Sequence, residues 1–145
     1  RDPRDGPALH GLSTILAGRG AWAEAQLLAQ RAAARLPGQA EVVEWHARLL
    51  LRAGEPGRAE ALFRRLLAAE PGRAGALLGR AEALLALDRR EDAVAALQAG
   101  LAERPGDAAL AARLRDLTMP APHARGGFLT RLRGAFAGRR RGPAQ

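Results

Sequence analysis

Apolar and small residues return along this chain at intervals of 34 positions. Leu9, Val43 and Leu77 keep that step, as do Leu16, Leu50 and Leu84. Two rows of small residues keep it too: Ser13, Ala47 and Ala81, and Ala25, Ala59 and Ala93. Breakers share the interval, with Pro37-Gly38, Pro71-Gly72 and Pro105-Gly106 in one row and Gly20, Gly54 and Asp88 in another. Between breakers the apolar positions recur every three to four residues, as on one helix face. The pattern predicts helices over residues 7–18, 21–35, 39–53, 56–69, 73–86, 90–103 and 107–118. They make three pairs and one single helix.

Each row has a physical reason. Small side chains let two antiparallel helices approach closely, so the Ser13 and Ala25 rows are expected to face each other, with the Leu16 row filling the space beside them. Gly20 and Gly54 end the first helix of a pair, where a left-handed residue is often needed. Pro-Gly ends the second. Pro7 and Pro56 suit the first turn of a helix, where a missing N–H costs nothing. Asp88 with Glu91 resembles a capping pair for the following helix, and Asp107 is a candidate N-cap for the last one. That last helix would cover the apolar end of the third pair.

A 34-residue period, helix–turn–helix units, the small–Leu–small pattern and a closing Pro resemble the tetratricopeptide repeat family over residues 6–118. Some positions depart from the family pattern. His46 and Arg80 replace an apolar residue such as Leu12, and Leu66 replaces a small one such as Ala32. The resemblance implies an all-α, right-handed solenoid of three helix pairs with a C-terminal capping helix. Its parts would be an extension (1–5), repeats at 6–39, 40–73 and 74–106, the cap (107–118) and a basic tail (119–145).

Composition agrees with an all-α chain. Of 145 residues, 48% are hydrophobic, mostly Ala and Leu, with no Tyr, three Phe and two Trp. All 23 basic residues are Arg, and Asn and Cys are absent, as a GC-rich bacterial genome tends to encode. The net charge is +8, but residues 1–118 carry only +2 of it and residues 119–145 carry +6. Basic character therefore belongs to the tail. No apolar run approaches the ~18–20 residues of a membrane span. No secretory signal is visible. The chain opens on Arg1, which fits a trimmed or mature form or a piece of something longer. The reading favours the cytoplasm and leaves periplasmic or membrane-associated placement open.

The family resemblance implies a concave groove, lined by the first helix of each pair, that binds a peptide or protein segment. Carried onto this chain, the groove residues are His10, Thr14 and Ala17; Glu41, Glu44, Trp45, Arg48 and Arg52; Leu78, Glu82 and Leu85; and Arg113 and Asp116. One subclass of the family clamps a terminal carboxylate with Lys, Asn and Arg. The matching positions here are His10, Thr14, Trp45, Gly75 and Gly79, and none carries the clamp residue. Trp45, Arg48 and Arg52 share one helical stripe, and such residues dominate interface energetics. Two readings of Trp45 stand open: a hot spot, or a core residue against a neighbouring helix. Trp22 begins a second helix and is read as packing inward. Glu44 and Arg48 are read as a solvated i,i+4 pair worth roughly 0.3–0.5 kcal/mol.

Catalytic chemistry has little to stand on. Without Cys or Lys there is no thiol nucleophile, Schiff base or Walker lysine. Ser13, the one serine, lies in a row of small buried positions. His10, His46 and His123 are far apart and form no metal-ligand spacing. His46 reads as a core-edge residue. No cofactor, metal or small-molecule substrate is expected.

In the tail, a linker (119–126) precedes Phe128, Leu129, Leu132, Ala135 and Phe136, which would share a helix face beside Arg131, Arg133, Arg139, Arg140 and Arg141. Three readings compete: disorder, since glycines weaken the helix; folding back onto the solenoid; or weak, salt-sensitive binding to an anionic membrane or nucleic acid. A further alternative for the whole chain is a regulatory or targeting domain of a larger enzyme or secretion component.

The pairing of small rows makes a prediction. Ala59→Leu should overpack the second pair and lower stability by about 1–3 kcal/mol in denaturant unfolding. Unchanged stability would mean that the pairing is wrong.

Overall fold

The computed structural model describes residues 5–119, which form seven α-helices: α1 (Gly6–Gly18), α2 (Trp22–Arg35), α3 (Ala40–Arg52), α4 (Pro56–Ala69), α5 (Ala74–Ala86), α6 (Arg90–Glu103) and α7 (Ala108–Thr118). Both ends of all seven helices agree with the periodic pattern to within one residue. No strand occurs among the described residues. The fold is an all-α helical solenoid. The tail residues Phe128 to Arg141 lie outside the described residues.

Each turn is closed by the same bonds in every copy. Between the helices of a pair, the N–H groups of Ala21, Glu55 and Arg89 donate to the carbonyls of Leu16, Leu50 and Leu84, each at 2.9 Å. This satisfies a helix-end carbonyl and requires a left-handed residue just before the donor. Gly20 and Gly54 supply it with φ +81°, and Asp88 with φ +59°. Asp88 is therefore not a cap for α6. Residue 89 holds the N-cap place without a side-chain cap bond, and Asp88 substitutes for the glycine of its row. Between pairs, the N–H groups of Gln39, Arg73 and Asp107 bond to Leu36, Glu70 and Arg104 across each Pro-Gly turn. Pro7 and Pro56 occupy first-turn positions. Asp107 caps α7 by accepting from the Leu110 N–H at 3.0 Å.

The core is a chain of clusters rather than one ball, as a solenoid requires. Leu9, Ala32 and Val42 form one, and Ala17, Ala25, Ala29 and Leu49 another. A third joins Leu50, Ala59 and Phe63 across α3 and α4, and a fourth joins Leu84, Ala93, Leu97 and Leu110. The small rows are sealed: Ser13, Ala25, Ala47, Ala59, Ala81 and Ala93 are all 0% exposed. Leu50, Phe63, Leu84, Leu97 and Leu110 are the largest fully buried side chains. Each contributes about 1.5–3 kcal/mol by leaving water.

Successive helices pack on one another, and the first helices also touch among themselves, α3 with α5 and α5 with α7. No two of α2, α4 and α6 make a comparable contact. A layer whose helices touch is shorter than one whose helices do not. The stack therefore curves, with α1, α3, α5 and α7 on the inside.

His46 occupies an inter-pair position of α3 and is 6% exposed. Its Nδ1 is buried without a hydrogen-bond partner. Burial lowers its pKa below 6.5, and the nearby Arg58 charge adds to the effect against Glu55. As pH falls below 6.5, the unfolded chain takes up a proton that the folded chain refuses. Stability should then drop as pH falls from 6.5 toward the lower folded pKa. Denaturant unfolding between pH 7.5 and 5 checks this. His46→Leu should flatten that part of the slope and add about 1 kcal/mol at neutral pH.

Candidate functional site

The inner layer is held by side-chain bonds that run from one first helix to the next. The Ser13 hydroxyl on α1 donates to the Ala25 carbonyl on α2 at 2.7 Å. It also accepts from the Trp45 indole Nε1–H on α3 at 2.9 Å. One hydroxyl thus ties three helices. Trp45 is half-buried and packs against the Ala17–Ala25–Ala29–Leu49 cluster. The His10 ring meets its edge, with centroids 6.5 Å apart and planes at 87°. Of the two readings of Trp45, packing against a neighbouring helix is the one this geometry favours.

Glu44 departs from the expected solvated pair. It is 8% exposed, and it accepts from Arg48 at 2.6 Å and from the Arg73 Nε–H at the start of α5. Arg73 also bonds Glu70 at 3.2 Å. Gly75 explains the burial, because a Cβ there would occupy the place of the Glu44 carboxylate. Gly79 is pressed against the Phe63 ring in the same way. Two positions matching the carboxylate clamp are thus glycines because neighbouring side chains fill their space. Further along, Arg113 of α7 grips Glu82 of α5 with two bonds, at 2.6 and 3.1 Å. Glu60, 7% exposed on α4, accepts from Arg80 of α5 at 3.2 Å. The polar residue in that apolar row is thus paired with a buried carboxylate.

Arg52 does not continue the Trp45 stripe. Its guanidinium lies 3.6 Å from the centre of the Trp22 ring, a cation–π contact. Trp22 is correspondingly not packed inward: it is 39% exposed and borders an open cleft of about 520 Å³ with Gln26, Leu49 and Arg52. The same row in the third pair holds Arg90, which donates to the Leu117 carbonyl at 2.5 Å. Both residues reach the last turn of the next first helix, so the Trp22–Arg52 contact joins successive pairs. Trp45, Arg48 and Arg52 therefore do not form one cluster: they go to Ser13, Glu44 and Trp22 respectively.

What remains on the inner face is Thr14, Glu41 and Asp116, exposed, with Leu78 and Leu85 half-buried between them. Glu41 joins no ion pair among the described residues. Arg73, absent from the sequence reading, is the most connected cation of this face. Its signal was indirect: a glycine two residues later, opposite a glutamate one repeat earlier. Among the described residues no group of His, Asp and Glu could hold a metal ion.

The model of the tetratricopeptide repeat matches residues 50–117. That match spans 68 of the 145 residues, and over it the chain resembles the tetratricopeptide repeat family. Solved structures agree on the fold. The first such domain of Spaghetti (RPAP3), bound to an HSP90 peptide, superposes with a TM-score of 0.70 at 19% identity, covering 81% of this chain and 93% of that one. The Arabidopsis OM64 domain gives 0.69 at 17% identity, covering 78% and 93%. The Sgt2 domain from Aspergillus fumigatus gives 0.69 at 15% identity, covering 97% and 86%. No curated protein sequence matches the chain. The match to this repeat supports a protein-interaction module. No described helix is long and apolar enough to cross a membrane.

The Glu44 network makes a prediction. Glu44→Ala should leave Arg73 half-buried and short of its main partner, and lower stability by about 1–3 kcal/mol in urea unfolding. Arg48→Ala should cost under about 0.5 kcal/mol, because Arg48 is half exposed.

Proposed function

We propose that the inner face of α1, α3, α5 and α7 binds an extended segment of another protein. The units that build it are residues 6–39, 40–73 and 74–106, closed by 107–118. The observation that carries this reading is the inner layer itself: four first helices side by side, cross-tied by Trp45–Ser13, Glu44–Arg73 and Glu82–Arg113. Such a face is preorganised, so a ligand does not have to order it.

The chemistry of the ligand follows from how the charges are used. Arg48, Arg73 and Arg113 already hold Glu44 and Glu82. Among the described residues of this face, no free cation cluster waits for a terminal carboxylate. Leu78 and Leu85 offer apolar contact, and Thr14, Glu41 and Asp116 offer polar contact at the rim. We infer a ligand read along its side chains rather than by its C-terminus. Arg52, stacked on Trp22, belongs to the joint between pairs. The tail residues Phe128, Arg131, Leu132, Arg133, Phe136, Arg139, Arg140 and Arg141 would at most add a charge-driven second contact.

Affinity capture with three baits tests this: the whole chain, a Glu41→Arg/Leu78→Arg variant, and residues 1–118. A partner lost with the groove variant and kept by residues 1–118 supports the reading. Its binding segment, titrated as free acid and as C-terminal amide, should bind within about twofold of equally, and at least about tenfold more weakly to the groove variant. A partner lost only with the truncation moves the function to the tail.

A further inference from the structure

The inner face carries a charge opposite to that of the chain as a whole. Residues 1–118 are +2 and residues 119–145 add +6. On the inner face the ion pairs cancel: Glu44 and Glu70 against Arg48 and Arg73, and Glu82 against Arg113. Arg52 is turned to the Trp22 ring at the joint between pairs. What is left over is acidic. Glu41 and Asp116 are exposed, and neither has an ion-pair partner among the described residues. They bracket apolar surface, because α5 touches both α3 and α7 and its Leu78 and Leu85 are half-buried between them. Packed helices lie about 8–10 Å apart. Glu41 is the second residue of α3 and Asp116 the ninth of α7, which adds about 10 Å along the axis. The two carboxylates are therefore about 20 Å apart, diagonally across the face.

The same chain holds a complement to that surface. Arg125, Phe128 and Arg131 recur eight residues later as Arg133, Phe136 and Arg139, and a glycine follows the first Arg in both. Each copy sets one Phe midway between two arginines six residues apart, with no acid from residue 119 onward. An overall bias toward Arg does not account for the template, because it also takes two of the three Phe in a chain with only 3% aromatic residues. Six residues of extended chain span about 20 Å, which matches the separation of the two carboxylates. Asp116 lies two residues before the end of α7. The six residues from Met119 to Ala124 supply about 20 Å of connecting chain. That is enough to turn back to Asp116.

We propose that residues 125–139 lie across the inner face of their own chain. One Arg-x-x-Phe-x-x-Arg segment sets its arginines on Asp116 and Glu41 and its Phe against Leu78 and Leu85. A short linker holds such a segment at an effective concentration on the order of 1 mM, so contacts too weak for a free peptide suffice in cis. The proposal rests on the reading of this face as a groove for an extended segment. It adds that the chain carries its own competitor: a partner displaces the tail in order to bind. The two copies of the template offer two registers for the same contact.

Paramagnetic broadening in the 145-residue chain tests this. The chain has no Cys, so a nitroxide on Leu132→Cys, between the two segments, reports alone. Amides around Glu41, Leu78, Leu85 and Asp116 should broaden, and those of α2, α4 and α6 should not. Glu41→Arg/Asp116→Arg should cut that broadening at least about threefold, because like charges then meet. Both positions are exposed, so the fold should hold. Phe128→Ser/Phe136→Ser should give a similar loss and leaves residues 5–119 untouched. Isotope-labelled chain mixed with nitroxide-bearing, unlabelled chain should show no broadening at about 50 µM, far below the effective concentration in cis. Broadening that is absent, that falls on α2, α4 and α6, that appears in the mixture or that survives both variants overturns the proposal. A captured partner that still maps to the inner face would then leave the groove standing, so the two readings fail separately.

Discussion

The structure depends on how closely the two helices of each pair approach. Ser13 meets Ala25, and Ala47 with Ala59 and Ala81 with Ala93 repeat the contact in sealed positions. Helices this near leave no space between them for a leucine, so Leu50 and Leu84 fill the edge of the contact. The connecting turn has to reverse within a few residues, and it does so through one left-handed residue each time. In the first pair the small residue is also polar. Its hydroxyl donates across the pair and accepts from Trp45, which extends the same contact to a third helix.

Curvature follows from the second layer of contacts. First helices make closer contact with one another than second helices do, so the inner face is the shorter one. The charges on it are then spent on the fold. Glu44 and Glu82 each take an arginine from a neighbouring element, and the glycines at 75 and 79 make room for Glu44 and Phe63. The consequence for recognition is a face without an anion clamp. A solved relative of the same fold holds an HSP90 peptide, and this chain shares its architecture at 19% identity. The architecture is common to both, while the surface that would contact a ligand is this chain's own.

Nearly all of the backbone was legible in the sequence, because small, leucine and glycine rows report local geometry that recurs three times. The candidate site was less so. Glu44 and Arg48 share a helix face and read as a surface pair. The burial of Glu44 comes from Arg73 and Gly75, which lie about one repeat further on. Trp22 reads as an inward aromatic until Arg52, on a different helix, covers its ring. Asp88 looks like a cap because aspartate usually is one, and its place in the glycine row was the better guide. For Glu44 and Trp22 the deciding neighbour comes from another pair, and a single-sequence pattern does not report contacts between pairs.

The central claim is that the inner face of the first helices receives the ligand. The most direct measurement is amide chemical-shift mapping of the isotope-labelled chain as a captured partner's binding segment is added. The account predicts shifts concentrated on α3 and α5, around Glu41, Arg48, Leu78 and Leu85, with α2, α4 and α6 nearly silent. Shifts confined to α2, α4 and α6, or to residues beyond 119, would contradict it.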